Sequence, residues 1–299
     1  MRPIHKIIRR AAVMAAAALV AGSFSAQSAR AAVIFNSQGF ETSANYTVGA
    51  NVFNQPSAGL AFGSTGTNAN SGTTHSQVTN SNAFAGSNAA QVNWTTADGY
   101  IGYSPFFTTP ASNPVSVDGP LVTITTEFKY ETPSGPVVPG NTQDGPFMGI
   151  KAVGNNGATS IGGVGVDSTT GELVTFDPTL GFQTFADDKT LAVDTYALLT
   201  VQLNFTAHTY LETVSGPVND TFSGSFPNSV TSFYAAYMEG ENAAGLGADS
   251  PGDPTSATSY FDNYQITANA VPEPGSLALL GLSGLALLGR RSRRSVIGG

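Results

Sequence analysis

The sequence predicts an all-β protein, an antiparallel β-sandwich set between two short terminal segments of different character. Three observations predict it. Between Ala32 and Ala270, apolar or alternating runs recur every ten to twenty residues, punctuated by Gly, Pro, Asn and Asp. No amphipathic helical period interrupts them. The 299-residue chain also has no cysteine, so a body of roughly 240 residues must be held by a packed core rather than by disulfides.

Taken in chain order, the first segment is "MRPIHKIIRRAAVMAAAALVAGSFSAQSARA". Arg2, Lys6, Arg9 and Arg10 make a positive cluster, and Ala11 to Gly22 is an apolar helix-forming run too short to span a bilayer. Ala29 and Ala31 put small residues at the two positions a signal peptidase reads. Residues 1–31 therefore predict a secretory signal helix cut after Ala31.

The body, 32–270, predicts one domain. Twelve segments read as strands: 32–38, 89–94, 100–107, 121–130, 146–153, 161–167, 172–176, 195–205, 208–214, 220–226, 232–238 and 259–268. In "LVTITTEFKY", Val122, Ile124, Thr126, Phe128 and Tyr130 share one face and Thr123, Thr125, Glu127 and Lys129 the other, the pattern of a half-buried strand. "GVDSTTGELVTF" predicts a hairpin turning through Asp167 to Gly171. Residues 54–82 and 239–258 are poor in bulky side chains and predict long loops. A dozen strands without crossover helices pack as two antiparallel sheets.

The last segment, "AVPEPGSLALLGLSGLALLGRRSRRSVIGG", explains itself piece by piece. Gly275 to Gly289 carries no charge; as a helix it reaches ~22 Å at ~1.5 Å per residue, short of a ~30 Å hydrocarbon core. Arg290, Arg291, Arg293 and Arg294 fit the cytoplasmic side of such an anchor, leaving 32–270 outside. Val271-Pro272-Glu273-Pro274, the apolar run and the arginines, in that order, resemble the PEP-CTERM sorting signal. The resemblance implies cleavage of the tail (271–299) by an exosortase, transient inner-membrane anchoring through 275–289, and a place at the cell surface or in an extracellular polysaccharide or biofilm matrix.

Charge narrows the partners. Residues 32–270 hold three lysines (Lys129, Lys151, Lys189), no arginine and nineteen acids, a net charge of −16. Such a surface repels nucleic acid, anionic membranes and anionic polysaccharides, while neutral glycans and divalent cations stay open. Within the body, "FNSQGFE", "GSNAAQVNW" and "YFDNYQITA" resemble scattered stretches of a concanavalin-like or carbohydrate-binding-module jelly roll. That resemblance implies a jelly-roll sandwich and a structural Ca²⁺ tying first strand to last, here through Glu41 and Asp262.

Other constellations divide by their chemistry. Asp249 with Asp253, and Asp187 with Asp188, read as turn aspartates or as minor cation sites. Glycoside hydrolysis needs two carboxylates sharing a face; Glu239-Gly240-Glu241 is the best pair, though its glycine reads as loop. His75 and His208 have no nucleophile motif or metal spacing beside them. Trp94, Tyr100 and Tyr103 cluster in sequence and are the candidates for stacking on pyranose rings, with Tyr234 and Tyr237 in another strand, against the commoner use of aromatics as core. The expectation is an exported, non-enzymatic surface or matrix protein binding neutral polysaccharide, with a glycoside hydrolase or polysaccharide lyase as the alternative.

Overall fold

The computed structural model describes residues 31–53, 55–57, 60–66, 75–96, 98–107, 120–135, 145–185, 187, 189–242 and 255–269. The signal helix, the PEP-CTERM tail with its apolar helix and arginines, Ala29, Asp188, Asp249 and Asp253 lie outside them; Ala31 is the first residue of the first strand. Ala32–Asn269 form a compact unit.

Its sixteen described strands make two antiparallel sheets. The front sheet is ordered β14 (Asp220–Ser225), β13 (Thr209–Ser215), β12 (Ala197–Asn204), β7 (Leu121–Tyr130), β16 (Ser256–Asn269), β5 (Ala89–Thr95) and β4 (Ser76–Thr79), with β1 (Ala31–Asn36) also on β16. The back sheet is ordered β11 (Gly181–Thr184), β10 (Leu173–Asp177), β9 (Thr159–Asp167), β8 (Phe147–Gly154), β15 (Phe233–Glu241), β6 (Tyr100–Pro105), β3 (Leu60–Gly66) and β2 (Pro56–Ser57). β16 lies between β5 and β7 in front, and β15 between β6 and β8 behind. The C-terminal ribbon is thus rolled into the middle of both sheets, the wrap of a jelly roll.

All twelve predicted strands are present, with ends differing by a few residues. The stretch 54–82 is not one loop, because it holds β3 and β4, and β15 continues through Glu239 to Glu241. The predicted hairpin at Asp167 forms: its Oδ1 accepts Thr169 N–H at 2.7 Å, and Gly171 supplies φ +76°.

Alternation sets the core. Val122, Ile124 and Phe128 of β7, Leu199, Val201 and Leu203 of β12, and Ile150 and Met148 of β8 face inward and are buried. At one end Phe35, Phe40, Phe62 and Tyr264 meet edge-on or tilted, with ring centroids 5.3–6.3 Å apart, and join the first strand to the last.

Glu212 carries a carboxyl into this core. Glu212 of β13 is buried and reaches across the sandwich, accepting Gly163 N–H of β9 at 2.5 Å and the Thr175 hydroxyl of β10. Burial, the largest influence, lifts its carboxyl well above the ordinary value of 4.5. With the folded value raised, this group's contribution is full in acid and is lost as pH rises through the folded value. Glu212→Gln keeps an acceptor for Gly163 N–H, turns the Thr175 contact into a donation from its own amide, and removes the charge. It is expected to raise stability at neutral pH by about 1–2 kcal/mol, with the gain shrinking toward pH 4.5; thermal melts across pH read this directly.

Candidate functional site

The "QGFE" turn places Glu41 beside β16. Gln38, Gly39 and Phe40 all have positive φ, so the chain doubles back, and Gly39 sits where a Cβ would come 3.2 Å from Asp262 Oδ1. The two carboxylates close on the segment 84–88. Asp262 Oδ2 accepts the N–H groups of Phe84 (3.0 Å) and Ala85 (2.9 Å), and its Oδ1 accepts Asn263 N–H at 2.7 Å. Glu41 Oε1 accepts the N–H groups of Ser87 (2.6 Å) and Asn88 (3.1 Å). Burial raises the Asp262 carboxyl, the three amides pull it down, and nearby Glu41 raises it further.

The structure therefore brings the sequence-predicted calcium pair together, but as a clamp on backbone amides. Calcium takes about six to eight converging oxygens. Here three carboxylate oxygens are already turned to N–H donors, and among the described residues no group of three or more acidic or histidine side chains converges.

The predicted stacking residues divide. Trp94 and Tyr103 point inward from β5 and β6 and are 1% and 0% exposed, so neither offers a face to a sugar. Trp94 donates its ring N–H to Gly99 O at 3.2 Å. Burial also pushes the Tyr103 hydroxyl up to about 12. Only Tyr100 is open, 42% exposed, with its hydroxyl 3.0 Å from Thr65 Oγ1. Tyr234 stacks on Phe106 at 5.2 Å, and Tyr237 is buried beside them.

The carboxylate pair is not in a loop. Glu239 and Glu241 stand on the outer face of β15, and Gly240 between them is a strand residue whose missing Cβ makes room for Trp94 beneath, 2.7 Å away. Lys151 of β8 reaches both, at 2.5 Å from Glu239 Oε1 and in direct contact with Glu241 Oε2. Glu239 is sealed from solvent, which holds its carboxyl well above the usual range. Burial works upward on Glu241 too, but its hydrogen bond with Glu239 and the charge of Lys151 outweigh it and hold that group low.

The outer face of the front sheet differs. Across β12, β7 and β16 the register aligns Thr200 with Thr125 and Gln265, and Gln202 with Thr123 and Thr267. Beside them a chain of amides and hydroxyls runs from Gln77 to Gln91 (2.7 Å), Gln91 to Asn93 (2.8 Å) and Thr258 to Asn93 (3.1 Å). All of these side chains are half-exposed. At one end of this field Phe84, 51% exposed, meets Tyr196 at 5.2 Å between ring centroids. Lys129 lies beneath, 5.1 Å from the Tyr260 ring and 5.7 Å from that of Tyr196, held by Asn82 and Asp194. The alternation of β7 gave the sign of this face; the aromatic edge comes from residues far apart in sequence and carries no local signal.

The remaining candidates do not assemble. His75 Nδ1 is 3.2 Å from Asp98, His208 sits in a positive-φ turn packed against Phe226, and Asp187 pairs with Lys189 at 3.3 Å. Among the described residues no helix is long and apolar enough to cross a membrane.

Comparison with known proteins bears on the tail. The pattern of the PEP-CTERM protein-sorting motif matches residues 270–294. The chain carries a PEP-CTERM motif. The PEP-CTERM motif implies a protein that is exported, directed to the cell surface and processed by an exosortase. No curated protein matches the chain. Among solved structures, domain 4 of AbnA, a GH43 extracellular arabinanase from Geobacillus stearothermophilus in complex with arabinotriose, is 14% identical, with TM-score 0.43 over 84% of this chain and 98% of that one. The binding domain of botulinum neurotoxin serotype G is 9% identical, with TM-score 0.42 over 84% of this chain and 51% of that one. A sialidase is 8% identical, with TM-score 0.42 over 64% of this chain; the chain spans 16% of its length.

Proposed function

We propose that the released domain is a non-enzymatic surface or matrix protein that binds neutral polysaccharide on the outer face of its front sheet. The observation that carries this reading is the set of uncharged Thr, Gln and Asn donors and acceptors on that face, which shares the outer side of β7 with Glu127 and Lys129 and has the Phe84–Tyr196 ring pair beside Lys129. Sugar hydroxyls are matched by amides and hydroxyls, and pyranose faces by an exposed ring edge. A body of charge −16 disfavours an anionic chain. In this reading signal peptidase cuts after Ala31 and an exosortase removes the tail beyond the Pro-Glu-Pro triplet, after transient anchoring through 275–289.

The rival, glycan hydrolysis at Glu239 and Glu241, is supported by their shared face and their oppositely displaced carboxyls. Against it, Glu239 is covered and Lys151 occupies both groups. A neutral-polysaccharide array assayed for binding and for released reducing sugar separates the two. Binding without release is expected, weakened about tenfold or more by Thr125→Glu, an outward substitution with little effect on stability. Sugar release abolished by Glu241→Gln would move the function to the back sheet.

A further inference from the structure

The contact of Lys151 with two glutamates is more than a surface ion pair. Lys151 lies opposite Tyr237 in the β8–β15 ladder, so its side chain must run along the strand to reach Glu239, opposite Gly149, and Glu241, opposite Phe147. The trough it follows is built from glycine. Gly149 and Gly165 face each other across β8 and β9, Gly163 faces Lys151, and Gly102 flanks Glu239 from β6. A Cβ on Gly163 would come 3.2 Å from Lys151 Cγ. The rings of Phe176 and Phe182 stand 5.6 and 5.7 Å from the ammonium, and Phe182 packs on Phe147 at 4.8 Å. The lysine side chain is 9% exposed and that of Glu239 is fully covered. An amine, a reacting carboxyl and a second carboxyl that can relay protons thus meet where only the Glu241 side chain, 23% exposed, is partly open to water.

We propose that Lys151 and Glu241 condense into an intramolecular amide cross-link between β8 and β15, with Glu239 as the proton relay. The ammonium passes a proton to the Glu241 carboxylate, and Nζ attacks Cδ of the acid so formed. Glu239, in its acid form, gives its proton to the departing hydroxyl oxygen and then, as a carboxylate, takes the second Nζ proton. One C–N bond forms, one C–O bond breaks and one water leaves; no oxidant, reductant or cofactor is consumed. Contact in a fixed geometry supplies the effective concentration that an intermolecular condensation lacks. Desolvation works toward the neutral amine and acid, against the mutual attraction that holds the Glu241 carboxyl low and Lys151 high. Burial already works in that sense on Glu239, whose carboxyl is held well above its usual range. For Lys151 burial works downward, and the two carboxylates, which outweigh it, are the groups that accept its proton. In a chain without cysteine, the link would close a loop of ninety residues that no disulfide can close.

Tryptic mapping of the full chain tests this, because its body offers trypsin only Lys129, Lys151 and Lys189. The expected result is no cut at Lys151 and a branched product, peptide 130–189 joined to the peptide that begins at residue 190, one water lighter than their sum. Cleavage at Lys151 in the denatured, fully digested chain overturns the proposal. Glu239→Gln preserves size and is expected to leave the chain folded, by circular dichroism, with linkage slower by about a hundredfold or more. Linkage at the unchanged rate in that variant overturns the relay.

Discussion

Asp262→Ala is expected to destabilise the domain by about 3 kcal/mol or more. The side chain is buried and accepts three backbone amides, from Phe84, Ala85 and Asn263. Leaving a donor without its acceptor costs up to about 1–3 kcal/mol, and because these three bonds are only part-buried, water recovers part of the total. For a domain of this size that lowers the melting temperature by roughly 6–12 °C. Asp262→Asn, which retains one acceptor oxygen, is expected to cost about half as much. Amide exchange localises the effect: Phe84 and Ala85 should lose protection first in either variant, with the central strands following only at global unfolding. The same melts decide the role of the pair. A wild-type melting temperature indifferent to chelator fits a clamp on amides; one that falls with chelator, and a variant that ignores chelator, would make Glu41 and Asp262 a cation site after all.

The clamp shows where sequence reasoning works and where it stops. "QGFE" and "YFDN" identify two carboxylates that meet at the joint between the first and last strands, and they do meet, across more than two hundred residues. What no spacing reveals is the third partner, the 84–88 segment, because its contribution is backbone N–H and any sequence has that. The twelve apolar or alternating strands were legible for the opposite reason, since burial of one face writes itself into side-chain identity. The four that were not are β2, β3, β4 and β11, short or rich in Gly, Ser, Thr and Gln. They pair because a neighbour offers a ladder; β4 is fixed by β5, for instance, with Gln77 bonded to Gln91. The Glu239-Gly240-Glu241 stretch misled in its own way. Glycine marks a loop when it supplies backbone freedom, but Gly240 is required by what lies under it.

What lies under it is Trp94, and its substitution carries the largest expected loss. Trp94→Ala empties a fully enclosed site between the sheets, lined by the backbone of Gly240 and bounded by Met148. Burying a tryptophan and then deleting it costs about 3–5 kcal/mol, the removed apolar area plus the cavity that close-packed neighbours cannot fill. The ring N–H bond to Gly99 O is lost as well. The melting temperature should fall by roughly 6–20 °C. Trp94→Phe, keeping a ring but not the donor, should lose less, because part of the cavity stays filled. The experiment separates core from platform if glycan binding is measured well below the variant's own melting point. A core tryptophan leaves the dissociation constant unchanged while the fold is intact, whereas Phe84→Ala, at the open edge of the front sheet, weakens binding without lowering the melt. A Trp94→Ala domain that is folded yet no longer binds would instead place the sugar against the Trp94 end of the sandwich, and the front-sheet reading would fall with it.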